Sequence, residues 1–198
     1  CLEKGYELSD IQVLSPMYAG NAGITVLNQA LQETFNPKTV DKNEVRLGYI
    51  TFREGDKILQ LKNQPDDEVS NGDIGTLIEI VDAKETEDKM TTIVVDFDGS
   101  FVEYKPDSFS NITLAYCISV HKSQGSEYPI VIMPFAKNQW IMLNKKLIYT
   151  AITRCKNTLI LIGNKEVFFQ GCNVEERHQR NTKLRQKIEI KSKKYSST

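Results

Sequence analysis

A polar connection between two apolar runs holds side chains suited to acid–base, hydrogen-bonding and phosphate chemistry. An imidazole, an ammonium, an amide and a carboxylate lie within the seven residues from His121 to Glu127. The runs Leu114–Val120 and Ile130–Met133 flank it and predict strands buried on both faces of a parallel sheet. Ligands of open α/β sheets bind at the carboxyl ends of the strands, which makes this connection a candidate binding loop. An ordinary solvated loop is the alternative.

A second candidate group is the guanidinium of Arg154. The apolar spacing predicts a helix from Asn144 to Cys155, with Thr150 and Arg154 one turn apart at the border of its apolar face. An arginine keeps its charge at all relevant pH values, and its planar fork fits phosphate oxygens. A surface salt bridge is the alternative use of this side chain.

Three segments resemble motifs of superfamily 1 helicases. His-Lys-Ser-Gln-Gly-Ser-Glu-Tyr-Pro at 121–129 resembles motif V in the form of the RecD-like branch, the exodeoxyribonuclease V alpha-subunit type. Leu-Ile-Tyr-Thr-Ala-Ile-Thr-Arg at 147–154 resembles motif VI, and residues 13–28 resemble the motif IV region. The motifs occur in the family's order and span most of the chain. One departure is Ala19, where the family commonly carries a basic residue.

The resemblance implies a role for each matching residue. Arg154 would be the catalytic arginine finger, and Gly125, Glu127 and Arg154 would contact the nucleotide, with Glu127 on its ribose. His121, Lys122 and Ser123 would contact nucleic acid, and Gln124, Tyr149 and Thr150 would couple the two sites. The implied cofactors are ATP and Mg²⁺, the implied nucleic acid is single-stranded DNA, and the implied direction of movement is 5′ to 3′.

The phosphate loop of such a motor is missing from the sequence. No Gly-x-x-x-x-Gly-Lys-Ser/Thr segment occurs. The chain also begins at Cys1 rather than Met, which predicts the C-terminal motor fragment of a longer helicase. We therefore expect ATP and Mg²⁺ to be held together with an N-terminal helicase domain of the full-length chain, and the fragment alone to be inactive as an ATPase.

The fold class predicted is α/β, a RecA-like sheet with helices interrupted by a small all-β Src-homology-3-like barrel. Residues 1–48 and 108–198 are assigned to the second motor domain, and residues 49–107 to the insertion. Short strand-like runs separated by Gly, Asn, Asp and Pro mark the insertion, and Asp98-Gly99 predicts a tight hairpin. Asn21 is predicted to cap a helix that runs from Ile24 to Phe35 and ends at Asn36-Pro37.

The amino-acid composition limits which other classes of protein and binding site are possible. With 40% apolar and 26% charged residues the chain can form a packed core, and its net charge of -1 gives no overall basic footprint for nucleic acid. A basic stretch from Arg177 to Lys194 predicts a surface helix. The four cysteines lack metal-ligand spacing, which predicts no metal site and free thiols in the cytoplasm. No apolar run is long enough for a membrane span.

Two hypotheses from other functional classes stay open. The chain could be a non-catalytic module that binds single-stranded nucleic acid, or a degenerate helicase fold that binds other proteins. A motor predicts ATPase activity once the missing domain is supplied, a binding module predicts single-strand binding unaided, and an interaction module predicts neither.

Overall fold

The computed structural model describes residues 1–174 and Ile188, which form two β-sheets, a separate hairpin and three α-helices. In chain order the strands are β1 (Ile11–Ser15), β2 (Glu44–Leu47), β3 (Ile50–Arg53), β4 (Lys57–Gln60), β5 (Ile74–Val81), β6 (Thr92–Phe97), β7 (Ser100–Tyr104), β8 (Ile112–Leu114), β9 (Cys117–Ser119), β10 (Tyr128–Phe135) and β11 (Cys155–Gly163). The α-helices are α1 (Ile24–Phe35), α2 (Lys145–Ile152) and α3 (Lys165–Asn173), and short 3₁₀ helices cover Leu2–Lys4, Pro65–Asp67, Phe109–Asn111 and Lys137–Ile141. None of the helices described could cross a membrane. The predicted basic helix beyond Arg177 lies outside the described residues.

Four parallel strands carry the candidate loops, in the order β11-β10-β1-β9. Every residue of β1 and β9 is buried, as expected for strands covered on both faces. Ser15, at the end of β1, lies opposite Ser119, at the end of β9. The connections that follow these two strands therefore leave the sheet side by side. The predicted parallel sheet is confirmed.

Helices cover both faces of this sheet. On one face Leu147, Ile148 and Ala151 of α2 belong to a buried cluster that includes Val131 and Met133 of β10. On the other face Ile24 of α1 packs with Val13 and Cys117. Burial of one such aliphatic side chain stabilises the fold by about 1.5–3 kcal/mol, so these contacts hold the strand ends in place.

Helix α1 has the predicted extent, but its N-cap is Gly23 rather than Asn21. A Cβ at position 23 would lie 2.5 Å from the carbonyl oxygens of both Tyr18 and Ala19. Only glycine fits this close backbone approach, so Gly23 rather than Asn21 occupies the position before the helix.

The second sheet is antiparallel, in the order β7-β6-β5-β4-β8. Its core contains Phe52, Ile58, Leu77, Ile93, Val95 and Tyr104. Asp98 and Gly99 join β6 to β7 with φ angles of 53° and 98°, which confirms the predicted hairpin. The sheet extends to Ile112–Leu114, beyond residue 107. The proposed division at residues 49 and 107 stays a prediction.

The sequence predicted a single strand of the parallel sheet over Leu114–Val120. The structure instead divides this run between the two sheets. Leu114 ends β8 in the antiparallel sheet, and Cys117 begins β9 in the parallel sheet. Between them the Ala115 N–H donates to the Lys57 carbonyl at 2.7 Å, and the Gln12 side chain donates to the Ala115 carbonyl at 3.0 Å. Both halves of the run are buried, so hydrophobicity does not reveal the change of sheet.

The helix predicted to end at Cys155 ends at Ile152. Asn144 caps it, accepting a hydrogen bond from the Leu147 N–H at 2.9 Å, but Cys155 already pairs with Tyr128 in the parallel sheet. Arg154 therefore lies in the turn after the helix. Strand β11 starts at Cys155 and forms the sheet edge, where Leu161 and Ile162 are 42% and 54% exposed.

Candidate functional site

The loop formed by residues 120–127 begins with a tight turn on the end of β9. The Lys122 and Ser123 N–H groups donate to the Ser119 carbonyl at 3.0 and 3.2 Å. Ser123 is fully buried, and its hydroxyl donates to the Val120 carbonyl at 2.8 Å. The Ser123 side chain thus stabilises the turn in this arrangement. Gly125 has a φ of 95°, a left-handed conformation that favours glycine.

Three polar side chains of this 120–127 loop face solvent: His121, Gln124 and Glu127. The Glu127 carboxylate lies 3.6 Å from the Lys156 ammonium, with the two side chains 58% and 54% exposed. An ion pair this exposed contributes little, so a ligand hydroxyl could compete for the carboxylate.

Arg154 joins the 120–127 loop to the end of α2. Its Nη1 donates to the Ser126 carbonyl at 3.0 Å, and its Nε donates to the Thr150 carbonyl at 3.3 Å. The Tyr128 N–H in turn donates to the Arg154 carbonyl at 2.8 Å. The guanidinium therefore lies against Ser126, the residue between Gly125 and Glu127. The structure brings together the three residues expected to contact a nucleotide.

The two other residues predicted on this helix occupy different environments. Tyr149 is 68% exposed on the outer side of α2. The Thr150 hydroxyl donates to the Lys146 carbonyl at 2.9 Å within the helix. Neither side chain has a described hydrogen bond to the 120–127 loop, and their coupling role stays a prediction.

The connection after β1 is held by a residue that the sequence did not single out. Gln139 is 1% exposed, and its Nε2 donates to the Ala22 carbonyl at 2.9 Å and to the Ser15 hydroxyl at 3.2 Å. The same Ser15 hydroxyl donates to the Ala22 carbonyl at 2.8 Å. Ala19 lies exposed on this loop and offers no charge to a ligand.

Lys122 contacts the connection between β4 and β5 of the antiparallel sheet. Its Nζ donates to Asn71 Oδ1 at 2.8 Å, although 51 residues separate the two. Asn71 is exposed and lies in the connection that leads into β5. Sequence reasoning placed Asn71 in the insertion but gave no reason for this contact.

A buried polar network, also missed, joins helix α1 to the turn between β3 and β4. Asp56 is fully buried, and its carboxylate accepts four hydrogen bonds. The donors are Gln32 Nε2 at 2.6 Å, Asn36 Nδ2 at 2.8 Å, the Tyr116 hydroxyl at 3.0 Å and the Arg53 N–H at 2.7 Å. Burial raises the pKa of Asp56 above its ordinary value, although these hydrogen bonds oppose the shift.

Arg53 extends this network to two acidic residues. The arginine is 3% exposed, and it lies 2.6 Å from the Glu44 carboxylate and 3.0 Å from that of Glu33. Hydrogen bonds from Lys38 and Arg53 lower the pKa of Glu44. Asn28, Gln32 and Asn36 recur every four residues, and this polar stripe on α1 was the available sequence signal.

Comparison with known proteins begins with residues 27–97, which match the family described as the ATP-dependent RecD-like DNA helicase SH3 domain. A protein named ATP-dependent RecD2 DNA helicase, from Deinococcus radiodurans, is 34% identical over 178 residues, which cover 90% of this chain and 23% of that protein. The chain belongs to the RecD-like helicase family. Residues 114–162 of this RecD-like chain also match the UvrD-like helicase C-terminal domain.

Other relatives agree with this assignment. The RecBCD enzyme subunit RecD of Buchnera aphidicola is 29% identical over 163 residues, 79% of this chain and 25% of the relative. The RecD-like chain thus spans about a quarter of the length of these curated relatives.

Solved structures share the fold. The crystal structure of Pif1 helicase from Candida albicans has a TM-score of 0.52 and 17% identity, and the match covers 91% of this chain and 49% of that one. Pif1 helicase from Bacteroides in complex with ADP-AlF3 and ssDNA gives a TM-score of 0.50 at 15% identity, with 92% and 45% covered. The RecA-like parallel sheet with an SH3-like unit, predicted from the sequence, is confirmed.

Proposed function

We propose that this chain is the C-terminal motor region of an ATP-dependent DNA helicase. It completes an ATP site with an N-terminal helicase domain of the same full-length protein, and it contacts single-stranded DNA. ATP bound between two such domains draws them together, and hydrolysis releases them, which drives stepwise movement. The proposed direction is 5′ to 3′.

The observation that carries this proposal is the position of Arg154. Its guanidinium lies on the Ser126 carbonyl at 3.0 Å, between the glycine and the glutamate of the 120–127 loop. All three contacts described for the guanidinium are neutral oxygens, those of Ser126, Thr150 and Thr153. A full positive charge therefore remains available to an incoming phosphate, and a charged acceptor would compete well with neutral carbonyls.

The residues present fit one side of a nucleotide site. Glu127 offers an exposed carboxylate to a ribose hydroxyl, and Arg154 offers charge to a phosphoryl group. Within residues 1–174 no three His, Cys, Asp or Glu side chains are grouped to hold a metal ion. The ligands of a nucleotide-bound Mg²⁺ would then come from the other domain and from the nucleotide itself.

The nucleic-acid side of the proposal rests on His121 and Lys122. Both lie at the carboxyl edge of the parallel sheet, next to the antiparallel sheet. Lys122 supplies charge to a backbone phosphate, and His121 is exposed beside it. The relatives' names include DNA helicases, and one of the Pif1 structures contains ssDNA, which supports this ligand class.

The test uses the full-length protein and the replacement Arg154→Lys. Lysine keeps the charge but loses the planar fork, so ATP turnover stimulated by single-stranded DNA should fall on the order of 10³-fold. Single-strand binding without nucleotide should stay within about twofold, since no DNA contact is removed. Arg46→Lys is the matched control, because Arg46 is exposed on β2 and its Nε donates only to the nearby Gly48 carbonyl.

Each alternative class gives a different result. Single-strand binding with no ATP turnover in the full-length wild type would identify a binding module. Neither activity would identify a protein-interaction module. Normal turnover by Arg154→Lys would remove this residue from the mechanism. Strand displacement on duplexes with a 5′ tail, but not a 3′ tail, would support the proposed direction.

A further inference from the structure

The connection that carries Asn71 is held by its own hydrogen bonds. The Ser70 N–H donates to the Asp73 carboxylate at 2.7 Å, and the Asn71 N–H donates to Asn63 Oδ1 at 2.8 Å. The Gly72 N–H donates to the Gln60 carbonyl at 2.9 Å. The backbone around Asn71 is thus tied to β4 on one side and to its own turn on the other.

Packing fixes this connection relative to the 120–127 loop. Ile74, the first residue of β5, and Leu61 pack against the same buried cluster that contains Val120. A Cβ on Gly72 would lie 3.8 Å from the Lys122 carbonyl oxygen, an ordinary van der Waals distance. The two loops therefore meet through both backbone and side-chain contacts.

We propose that Asn71 is a positioning residue that aims the Lys122 ammonium at a backbone phosphate of the nucleic acid. The proposal rests on the proposed function, in which Lys122 contacts single-stranded DNA. A lysine stem is flexible, and binding by an unrestrained lysine costs conformational entropy. One hydrogen bond to Asn71 restrains the stem and leaves two ammonium hydrogens for a phosphate.

The chemistry of the partner matters as much as its position. An amide oxygen is neutral, so it orients Lys122 without cancelling its charge. An aspartate at position 71 would hold the ammonium at least as well but would also pair with it electrostatically. The two properties, restraint and charge, can therefore be separated by substitution at one exposed position.

The experiment measures binding of a fluorescent oligothymidylate to the full-length protein without nucleotide, over a series of salt concentrations. Asn71→Ala should weaken binding about 3- to 10-fold and leave the salt dependence unchanged, because the charge remains. Asn71→Asp and Lys122→Ala should each weaken binding and lower the slope of log K against log salt by about 0.7. The double variant Asn71→Ala, Lys122→Ala should bind as Lys122→Ala does.

Controls separate positioning from folding. Asn173→Ala, at an exposed position on α3, should bind as wild type does, and all variants should melt at the wild-type temperature. An Asn71→Ala effect that persists in the Lys122→Ala background would overturn the proposal in favour of a structural role. An Asn71→Ala affinity equal to wild type would also overturn it, and the proposed function would stand. Failure of the wild type to bind the oligonucleotide at all would reject both.

Discussion

The fully buried Asp56 carboxylate offers the sharpest test of how the two sheets are held together. In Asp56→Ala all four of its donors lose an acceptor. Gln32 Nε2 still donates to the Thr51 carbonyl at 2.8 Å, and Asn36 Nδ2 still donates to the Glu54 carbonyl at 3.0 Å. The Tyr116 hydroxyl and the Arg53 N–H have no second acceptor among their described hydrogen bonds.

Two orphaned buried donors set the size of the effect. Each costs about 1–3 kcal/mol, so Asp56→Ala should lower the free energy of unfolding by about 2–6 kcal/mol. Removing a desolvated carboxylate returns part of this cost, which favours the lower half of that range. Urea unfolding of the chain, followed by circular dichroism, measures the loss.

Asp82→Ala is the matched control for this experiment. Asp82 is exposed and accepts a hydrogen bond from the Lys84 N–H at 2.9 Å, so its loss should change stability by no more than about 0.5 kcal/mol. Equal unfolding midpoints for the two variants would refute the reasoning, since the buried hydrogen bonds would then contribute nothing net.

The pH dependence of Asp56 gives an independent check. Burial raises its pKa in the folded state, so folding favours the protonated form. Its stabilising contribution is full below the unfolded pKa and is lost as pH rises through the folded pKa. The free energy of unfolding of the wild type, relative to that of Asp56→Asn, should therefore increase as the pH is lowered from about 7 towards the pKa of an ordinary carboxyl group. A relative stability that decreases on acidification would contradict the raised pKa.

Three further outcomes follow from other buried groups. Burial lowers the pKa of Lys57 to about 8. As the pH rises from about 8 to 10.5, the free energy of unfolding of the wild type should therefore increase by up to about 3 kcal/mol relative to Lys57→Met, as measured by urea unfolding. Gly23→Ala should destabilise the chain by about 1–3 kcal/mol in thermal melts, because its Cβ would meet two backbone oxygens at 2.5 Å. Ser123→Ala should cost about 1 kcal/mol of stability and leave single-strand affinity unchanged, and an affinity weakened equally at every salt concentration would instead place the Ser123 hydroxyl at the nucleic acid.

Sequence reasoning succeeded where local chemistry decides the structure. The strand over Ile130–Met133 and the Asp98-Gly99 turn are specified by a short apolar run and by two residues that tolerate positive φ. Arg154 and Glu127 could be proposed as candidate groups because their motifs are contiguous in sequence, and their roles stay predictions.

Sequence reasoning failed where contacts with residues distant along the chain determine the structure. Residues 114–120 are apolar except for Ser119, and only pairing with Lys57 on one side and Val13 on the other divides them between two sheets. Asn28 bonds the backbone of Cys117 across 89 residues, and Asn71 reaches Lys122 across 51. Polar side chains such as these resemble solvated ones until the fold brings their partners to them.

The change of sheet between Leu114 and Cys117 bears on how members of this family could exchange parts. Ala115 and Tyr116, the only residues between β8 and β9, are both buried and both bonded, one to strand backbone and the other to Asp56. No hinge separates the units at this junction. A chimera that transplants the antiparallel sheet alone would break the chain at this junction. It would also separate Asp56 from its hydrogen-bond partners Gln32 and Asn36 at helix α1. A graft intended to fold would need to carry residues from α1 through Tyr116 as one piece, so recombination between relatives should favour crossovers outside that span.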